Sequence, residues 1–324
     1  MKYSLKEYII FFIILTVAGL LYDRYKLKSQ LDEELQQYDM IQKFLLNDSS
    51  LARSKKPIIW IHLGFYKNSR YWSSFFSRNT YELNQPYLHL TIKSIIDKCG
   101  ESFNVCLIDD DSFTKLIPGW SININSLATP IKEHIRQLAI TKILYNYGGM
   151  LVPGSFACFK NLEEIYSESL QNHDAFVFQN VSHNSTSSMV NFFPNCNFMG
   201  CKKKSAVMEN MVQYLEHLNS RDFTSESDFL GNVNRWLYQK STLGEINLLD
   251  AGKIGCKDVN NKPILVDDLM STTYLKLCRD VCGIYIPADE ILRRTKYEWF
   301  ARLSPKQVLE CDAVICKHIL LSNS

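Results

Sequence analysis

The residues able to do chemistry sit where hydrophobic runs end. Ile58-Ile59-Trp60-Ile61-His62-Leu63 is a nearly continuous apolar run that closes at Gly64, as expected of a buried strand whose carboxyl end opens onto a site. A second run, Phe103 to Ile108, ends in Asp109-Asp110-Asp111. Three adjacent carboxylates at a strand end could hold a divalent cation or a ribose, since hard cations take oxygen ligands. Asp111-Ser112 equally suits the start of a helix, where short polar side chains cap open N–H groups. Near the C-terminus, Asp289 to Arg302 interleaves Arg293, Arg294, Lys296 and Arg302 with Tyr297, Trp299 and Phe300. That mixture fits contact with a phosphate or sugar, or aromatic core packing under snorkelling cations.

Alternating elements must position these groups. Residues 86–98 read as a helix with Leu88, Ile92, Ile95 and Ile96 on one face, and residues 130–147 as another, ended by Gly148-Gly149 where a left-handed cap is needed. A short strand, Met150-Leu151-Val152, follows and stops at Pro153-Gly154-Ser155. Residues 205–217 and 226–239 read as helices, and 180–194 as a polar loop. Strands alternating with helices predict an α/β fold with a mainly parallel sheet over residues 57–324.

The N-terminus reads differently. Tyr8 to Tyr22, YIIFFIILTVAGLLY, is an apolar run flanked by Lys2, Lys6 and Asp23-Arg24. As a helix it is roughly 22 Å long against a hydrocarbon core of roughly 30 Å, so it spans with help from Leu5 and snorkelling Lys6. A cleaved signal peptide ending near Val17-Ala18-Gly19 is the competing reading. Leu27, Leu31, Leu35, Tyr38, Ile41 and Leu45 then recur about every 3.6 residues, the pattern of an amphipathic stalk that packs on its own domain or self-associates. The expected organisation is an anchor over residues 1–22, a helical stalk and linker over 23–56, and the α/β domain. The expected location is a membrane held by one N-terminal pass, whether endomembrane, Golgi-like or viral. With 36 Lys+Arg against 34 Asp+Glu, the net charge of +2 implies no polyanion-binding field, so nucleic acid is not an expected partner. The ten cysteines lack the C-x2-C pairs of zinc sites. Sequons at Asn47, Asn180 and Asn184 do not settle lumenal exposure.

The segment Leu144-Tyr145-Asn146-Tyr147-Gly148-Gly149-Met150-Leu151, followed by Phe159-Lys160-Asn161-Leu162, resembles the hallmark of glycosyltransferases with a sugar-binding DXD motif, of the capsular polysaccharide synthesis and initiating mannosyltransferase kind. The likeness extends upstream through Ile59-Trp60-Ile61-His62, the strand ending at Asp111 and Ile117-Pro118-Gly119-Trp120, and fades around Asn197-Phe198-Met199-Gly200. It implies a GT-A-like nucleotide-diphospho-sugar transferase fold in which the strand after Gly-Gly ends in Asp-x-Asp, gripping Mn²⁺ or Mg²⁺ and the donor diphosphate. Here Pro153, Gly154 and Ser155 hold those positions, and the family's Ser-Asp-x-x-Arg falls on Arg136, Gln137 and Ile140. No metal is expected at residues 153–155.

The resemblance supplies candidates for the missing parts. Arg136 or Arg294 could neutralise a diphosphate, because guanidinium binds phosphate bidentately. Asp109 and Asp111 could replace the lost carboxylates, His62 could act as an acceptor-side base, and Asp228 could approach the acceptor. Trp60, Gly148, Gly149 and Ser155 complete the expected donor side. The function implied is a membrane-anchored transferase moving a sugar from a nucleotide-sugar donor to a glycan acceptor. The alternative is a catalytically inactive relative kept as a structural or membrane-tethering component, for example of a virion. A secreted binding protein, requiring cleavage at Gly19, is the third reading.

Overall fold

The computed structural model describes residues 56–64, 85–182, 190–221 and 226–324, together with residue 22; the side chains of residues 226–228 are not described. The apolar run over 8–22 and the stalk over 23–56 fall, but for Tyr22 and Lys56, outside the described residues. Among those described, no helix is long and apolar enough to cross a membrane. The chain divides into two compact units, Met1–Lys55 with Thr114–Ile122, and Lys56–Phe113 with Asn123–Ser324. In the first, the Trp120 indole donates to the Ile122 carbonyl across 2.9 Å. The second unit carries the sheet.

Its centre is a six-stranded mixed sheet. The elements are β1 (Ile58–His62), α1 (Leu88–Cys99), β2 (Asn104–Ile108), α2 (Ile131–Tyr147), β3 (Gly149–Leu151), β4 (Phe156–Cys158), α3 (Glu163–Ser169), β5 (Ala175–Val181), β6 (Phe192–Cys201), α4 (Ala206–Asn219), α5 (Glu226–Thr242), β7 (Asn247–Leu249), β8 (Gly283–Tyr285), α6 (Ala288–Arg293) and α7 (Val314–Ser322). The sheet runs β2-β1-β3-β6-β5-β7, and β4 pairs with β8 in a separate ribbon. β1 lies parallel to both β2 and β3, and β5 parallel to β7. β6 runs antiparallel to β3 and β5, so the sheet is mixed, with its other three pairings parallel. The polar reading of 180–194 is corrected at its ends. Val181 pairs with Phe192 and Asn180 with Phe193, because two strands that satisfy each other's backbone tolerate polar side chains.

The period of two in β1 divides its side chains between two layers. Ile59 and Ile61 join Ile92, Ile95 and Cys99 of α1, Phe103, Met150, Val152 and the aromatic set Phe156, Phe176, Phe178 and Phe198 in one core. Trp60 and His62 point to the opposite face. There the Trp60 indole donates to the Gly148 carbonyl at 2.9 Å, and its ring lies 5.7 Å from that of Tyr147. A second core gathers Tyr87, Ala157, Ile284 and Ile286 with the C-terminal residues Ile291, Phe300, Val308 and Ile315.

The Gly-Gly unit has a steric cause. Gly148 ends α2 at φ 71°, its N–H reaching the Leu144 carbonyl at 2.8 Å. Gly149 opens β3 at φ 98°, and a Cβ there would lie 2.3 Å from the Ile58 carbonyl oxygen. Only glycine permits both the left-handed turn and the close approach to β1. β3 is therefore an interior strand, hydrogen-bonded to β1 on one side and β6 on the other.

Candidate functional site

The chain leaves β1 to build β2 on one side and returns to build β3 on the other. In open α/β sheets such a reversal of strand order leaves a crevice outside the carboxyl ends of the two central strands. A cavity of about 250 Å³ lies there. Its wall includes His62-Leu63-Gly64 after β1, Leu151-Val152-Pro153-Gly154-Ser155 at the end of β3, Glu133, Arg136, Gln137 and Ile140 of α2, and Asn197 of β6. Gln85, Leu88, Leu230, Tyr285, Ala288, Asp289 and Leu292 complete it.

One charge cluster organises this wall. Asp110 follows β2, and its Oδ1 receives His62 Nε2 at 3.1 Å and Arg136 Nε at 2.7 Å. Its Oδ2 receives Arg136 Nη2 at 2.6 Å, with Lys132 Nζ at 3.5 Å. The remaining Arg136 nitrogen, Nη1, donates to Glu133 at 2.5 Å. Arg136 is only 3 % exposed, so its guanidinium is a buried tie between the β2 end and α2. Burial pushes the Asp110 carboxyl upward, but hydrogen bonds from His62 and Arg136, with the guanidinium charge, outweigh it and hold the group well below the usual carboxylate range.

Uncharged polar groups supply the rest. Gln85 and Gln137 are 4 % and 7 % exposed, and both line the cavity. Gln85 Nε2 donates to the Ala288 carbonyl at 3.3 Å, yet its Oε1 has no partner, nor has Gln137 Nε2. Leaving a buried donor or acceptor unmet costs about 1 to 3 kcal/mol, so both amides keep hydrogen-bonding capacity that the described residues leave unused. Burial, with Asp289 nearby, pushes the Tyr285 phenol far above its ordinary range, so it stays protonated. Burial likewise pushes the Cys196 and Cys256 thiols up to about 12, so both stay protonated.

The sequence candidates divide between this cavity and other places. His62, Arg136 and Ser155 are brought together on its wall. Trp60 is buried under the Gly148 carbonyl, and Gly148 and Gly149 stand at the opposite, amino end of β3. Asp109 is a helix cap, its Oδ1 accepting from Ser112 N at 2.9 Å and Ser112 Oγ at 2.6 Å. Asp111 accepts from Asn125 Nδ2 at 2.9 Å. Neither lines the cavity; the middle carboxylate, Asp110, serves its wall instead. Arg294 is about half exposed, pairing with Asp267 at 3.2 Å and Glu290 at 2.5 Å, while its neighbours Asp289 and Leu292 reach the rim. Lys296 and Tyr297 also bind Asp267 and draw its carboxyl down to about 2. Asp228 falls in the first turn of α5, and its side chain is outside the described residues.

The metal that the resemblance implies does not fit these residues. Pro153 and Gly154 carry no donor, Ser155 offers a neutral one, and a Cβ on Gly154 would already lie 3.2 Å from Leu63 Cδ2, leaving little room for a longer side chain. Among the described residues no group of three or more His, Cys, Asp or Glu side chains is gathered to hold a metal ion. Gln85, Gln137, Glu133 and Asp110 are the site residues that sequence reasoning passed over. For Asp110 the signal was its place in the carboxylate triplet; for Gln137, its neighbour Arg136. No family model matches the chain, and no curated protein or solved structure does so either.

Proposed function

We propose that this α/β domain is a GT-A-like glycosyltransferase domain, carried by an N-terminal membrane anchor, that takes a sugar from a nucleotide-sugar donor and passes it to a glycan hydroxyl without a divalent metal. The observation that carries this reading is the cavity at the β1/β3 reversal, lined by the buried Arg136 and the amides Gln85 and Gln137, with Pro153, Gly154 and Ser155 where the resembled family places its metal ligands. Amide donors and acceptors suit hydroxyls and heterocyclic edges, which pair in both directions. Calorimetric titration of the full-length protein with UDP-glucose and GDP-mannose, in Mn²⁺ and again in EDTA, tests it. Binding of one donor with equal affinity in both buffers supports the reading; binding only with Mn²⁺, or none at all, refutes it.

A second reading, a catalytically silent domain retained as a membrane component, is favoured by one observation. Three of the five N–H groups of Arg136 are bonded to Asp110 or Glu133, and those two carboxylates balance its charge, so it has less attraction left for a leaving diphosphate. Donor binding without any sugar release would select it.

A further inference from the structure

We propose that Cys99 and Cys158 are a disulfide-forming pair, joined covalently when the protein meets a small-molecule disulfide oxidant such as oxidised glutathione. The bond would tie the end of α1 to the end of β4, and it stands apart from the transferase reading. In the structure both residues are free thiols, fully buried, with their sulfurs 4.0 Å apart. A disulfide needs about 2.0 Å, so each sulfur has about 1 Å to travel. The two elements are already aligned by hydrogen bonds. Thr91 Oγ1 donates to the Gly154 carbonyl at 2.6 Å, and Ser94 Oγ accepts from Cys158 N at 2.9 Å. Thr91, Ser94 and Cys99 therefore meet the segment 154–158 from one side of α1. The other end of that segment, with Pro153, Gly154 and Ser155, walls the cavity. The disulfide would add a third tie to a row in which two are present.

Neighbouring thiols are directed elsewhere. Cys201 donates to the Leu144 carbonyl at 3.3 Å, Cys256 to Asn180 Oδ1 at 3.2 Å, and Cys282, beside β8, to the Asp280 carbonyl at 3.6 Å. Such cysteines serve as small apolar fillers. Within the pair the two sulfurs differ: the hydrogen bond from Cys158 lowers the Cys99 thiol, whereas that same bond and burial raise Cys158. The thiolate is the nucleophile, so Cys99 attacks first. Its sulfur bonds to one sulfur of oxidised glutathione, whose S–S bond breaks and releases one glutathione thiolate. The Cys158 thiolate then attacks the Cys99 sulfur of the mixed disulfide and releases the second. The two thiol protons end on the two glutathiones, so two protein thiols are oxidised and one glutathione disulfide is reduced. Because both sulfurs are buried, the exchange takes place while the α1–β4 contact is open, during folding or local opening. The finished bond is then shielded from reductant.

Equilibrating the full-length protein with oxidised and reduced glutathione at pH 8, in buffer and again in urea below the unfolding midpoint, tests this. Free thiols are then blocked with iodoacetamide, and the protein is digested with trypsin without reductant. Mass spectrometry should find the peptide 99–115 joined to 143–160, in both conditions and sooner in urea. The first peptide also holds Cys106, so Cys99→Ser should abolish the link and Cys106→Ser should leave it. The oxidised wild type should melt at least about 4 °C above the reduced form, and dithiothreitol should reopen the bond far faster in urea than in buffer. No link in either condition, a link from Cys158 to Cys106 or Cys282 in its place, or a Tm that does not rise on oxidation overturns the proposal. The cross-link map and the melting comparison use wild-type protein and do not depend on any variant folding.

Discussion

Replacing Arg136 with Met removes a buried guanidinium while keeping most of its stem. In the native fold that group makes three bonds of 2.5 to 2.7 Å to Asp110 and Glu133. Without it Asp110, whose side chain is 9 % exposed, stays buried and ionised with only His62 at 3.1 Å and Lys132 at 3.5 Å beside it. Breaking a buried pair by removing one partner costs about 3 to 5 kcal/mol, and the remaining Lys132 charge and His62 hydrogen bond set the expectation near 3. At about 2 to 4 °C per kcal/mol, Tm falls by about 6 to 12 °C. The loss should depend on pH in a definite sense. Asp110 is depressed in the native protein, so its contribution is fully present above the unfolded carboxylate value of about 3.9 and fades as pH falls below it. In the variant, burial dominates and that contribution is gone. The gap between the two proteins should therefore be widest near pH 7 and narrow below about pH 4, as thermal melts followed by circular dichroism from pH 7.5 to 3.5 would reveal. A Tm change under about 2 °C, or a gap that ignores pH, would refute the assignment of Arg136 as a structural tie.

Gly149→Val places a branched side chain at φ 98° and a Cβ 2.3 Å from the Ile58 carbonyl oxygen; a destabilisation above about 2 kcal/mol is expected in urea titration, and an unchanged midpoint would count against β3 as an interior strand. Thr91→Val removes the 2.6 Å hydrogen bond from Oγ1 to the Gly154 carbonyl, which ties α1 to the Pro-Gly-Ser turn, and should cost about 1 to 3 kcal/mol by the same titration. Ser304→Ala breaks a capping box with Gln307 at the start of the helix Pro305–Glu310 and should cost about 1 kcal/mol, read as faster hydrogen exchange in that helix.

Much of the framework was legible because backbone chemistry is local. The run ending at His62, the α2 pattern closed by Gly148-Gly149 and the β2 run each carry their own period and punctuation, and all three elements form within a residue or two of where the sequence places them. The direction of β6 was not legible, since a strand's pattern shows which side chains face the core but not which way the chain runs. The site was legible only in part for a related reason. Within Asp109-Asp110-Asp111 all three positions are chemically identical, and only the fold distinguishes the cap, the Asn125 partner and the Arg136 partner. Gln85 and Gln137 carried no sequence signal as a pair, being 52 positions apart and joined only by a cavity.

The two departures from the resembled motif belong together physically. An Asp-x-Asp pair without its metal would place two carboxylates where a diphosphate must come, and a metal without the pair would have nothing to hold it. Here both carboxylate positions are neutral, position 137 is an amide, and position 140 is a buried isoleucine on the cavity wall. Arg136, on the same helix, is paired with Asp110 and Glu133. The cleft between these elements is therefore bounded by neutral side chains and by charges that are already matched. Matching matters because either partner of such a pair, left alone, would be a buried and unmet charge.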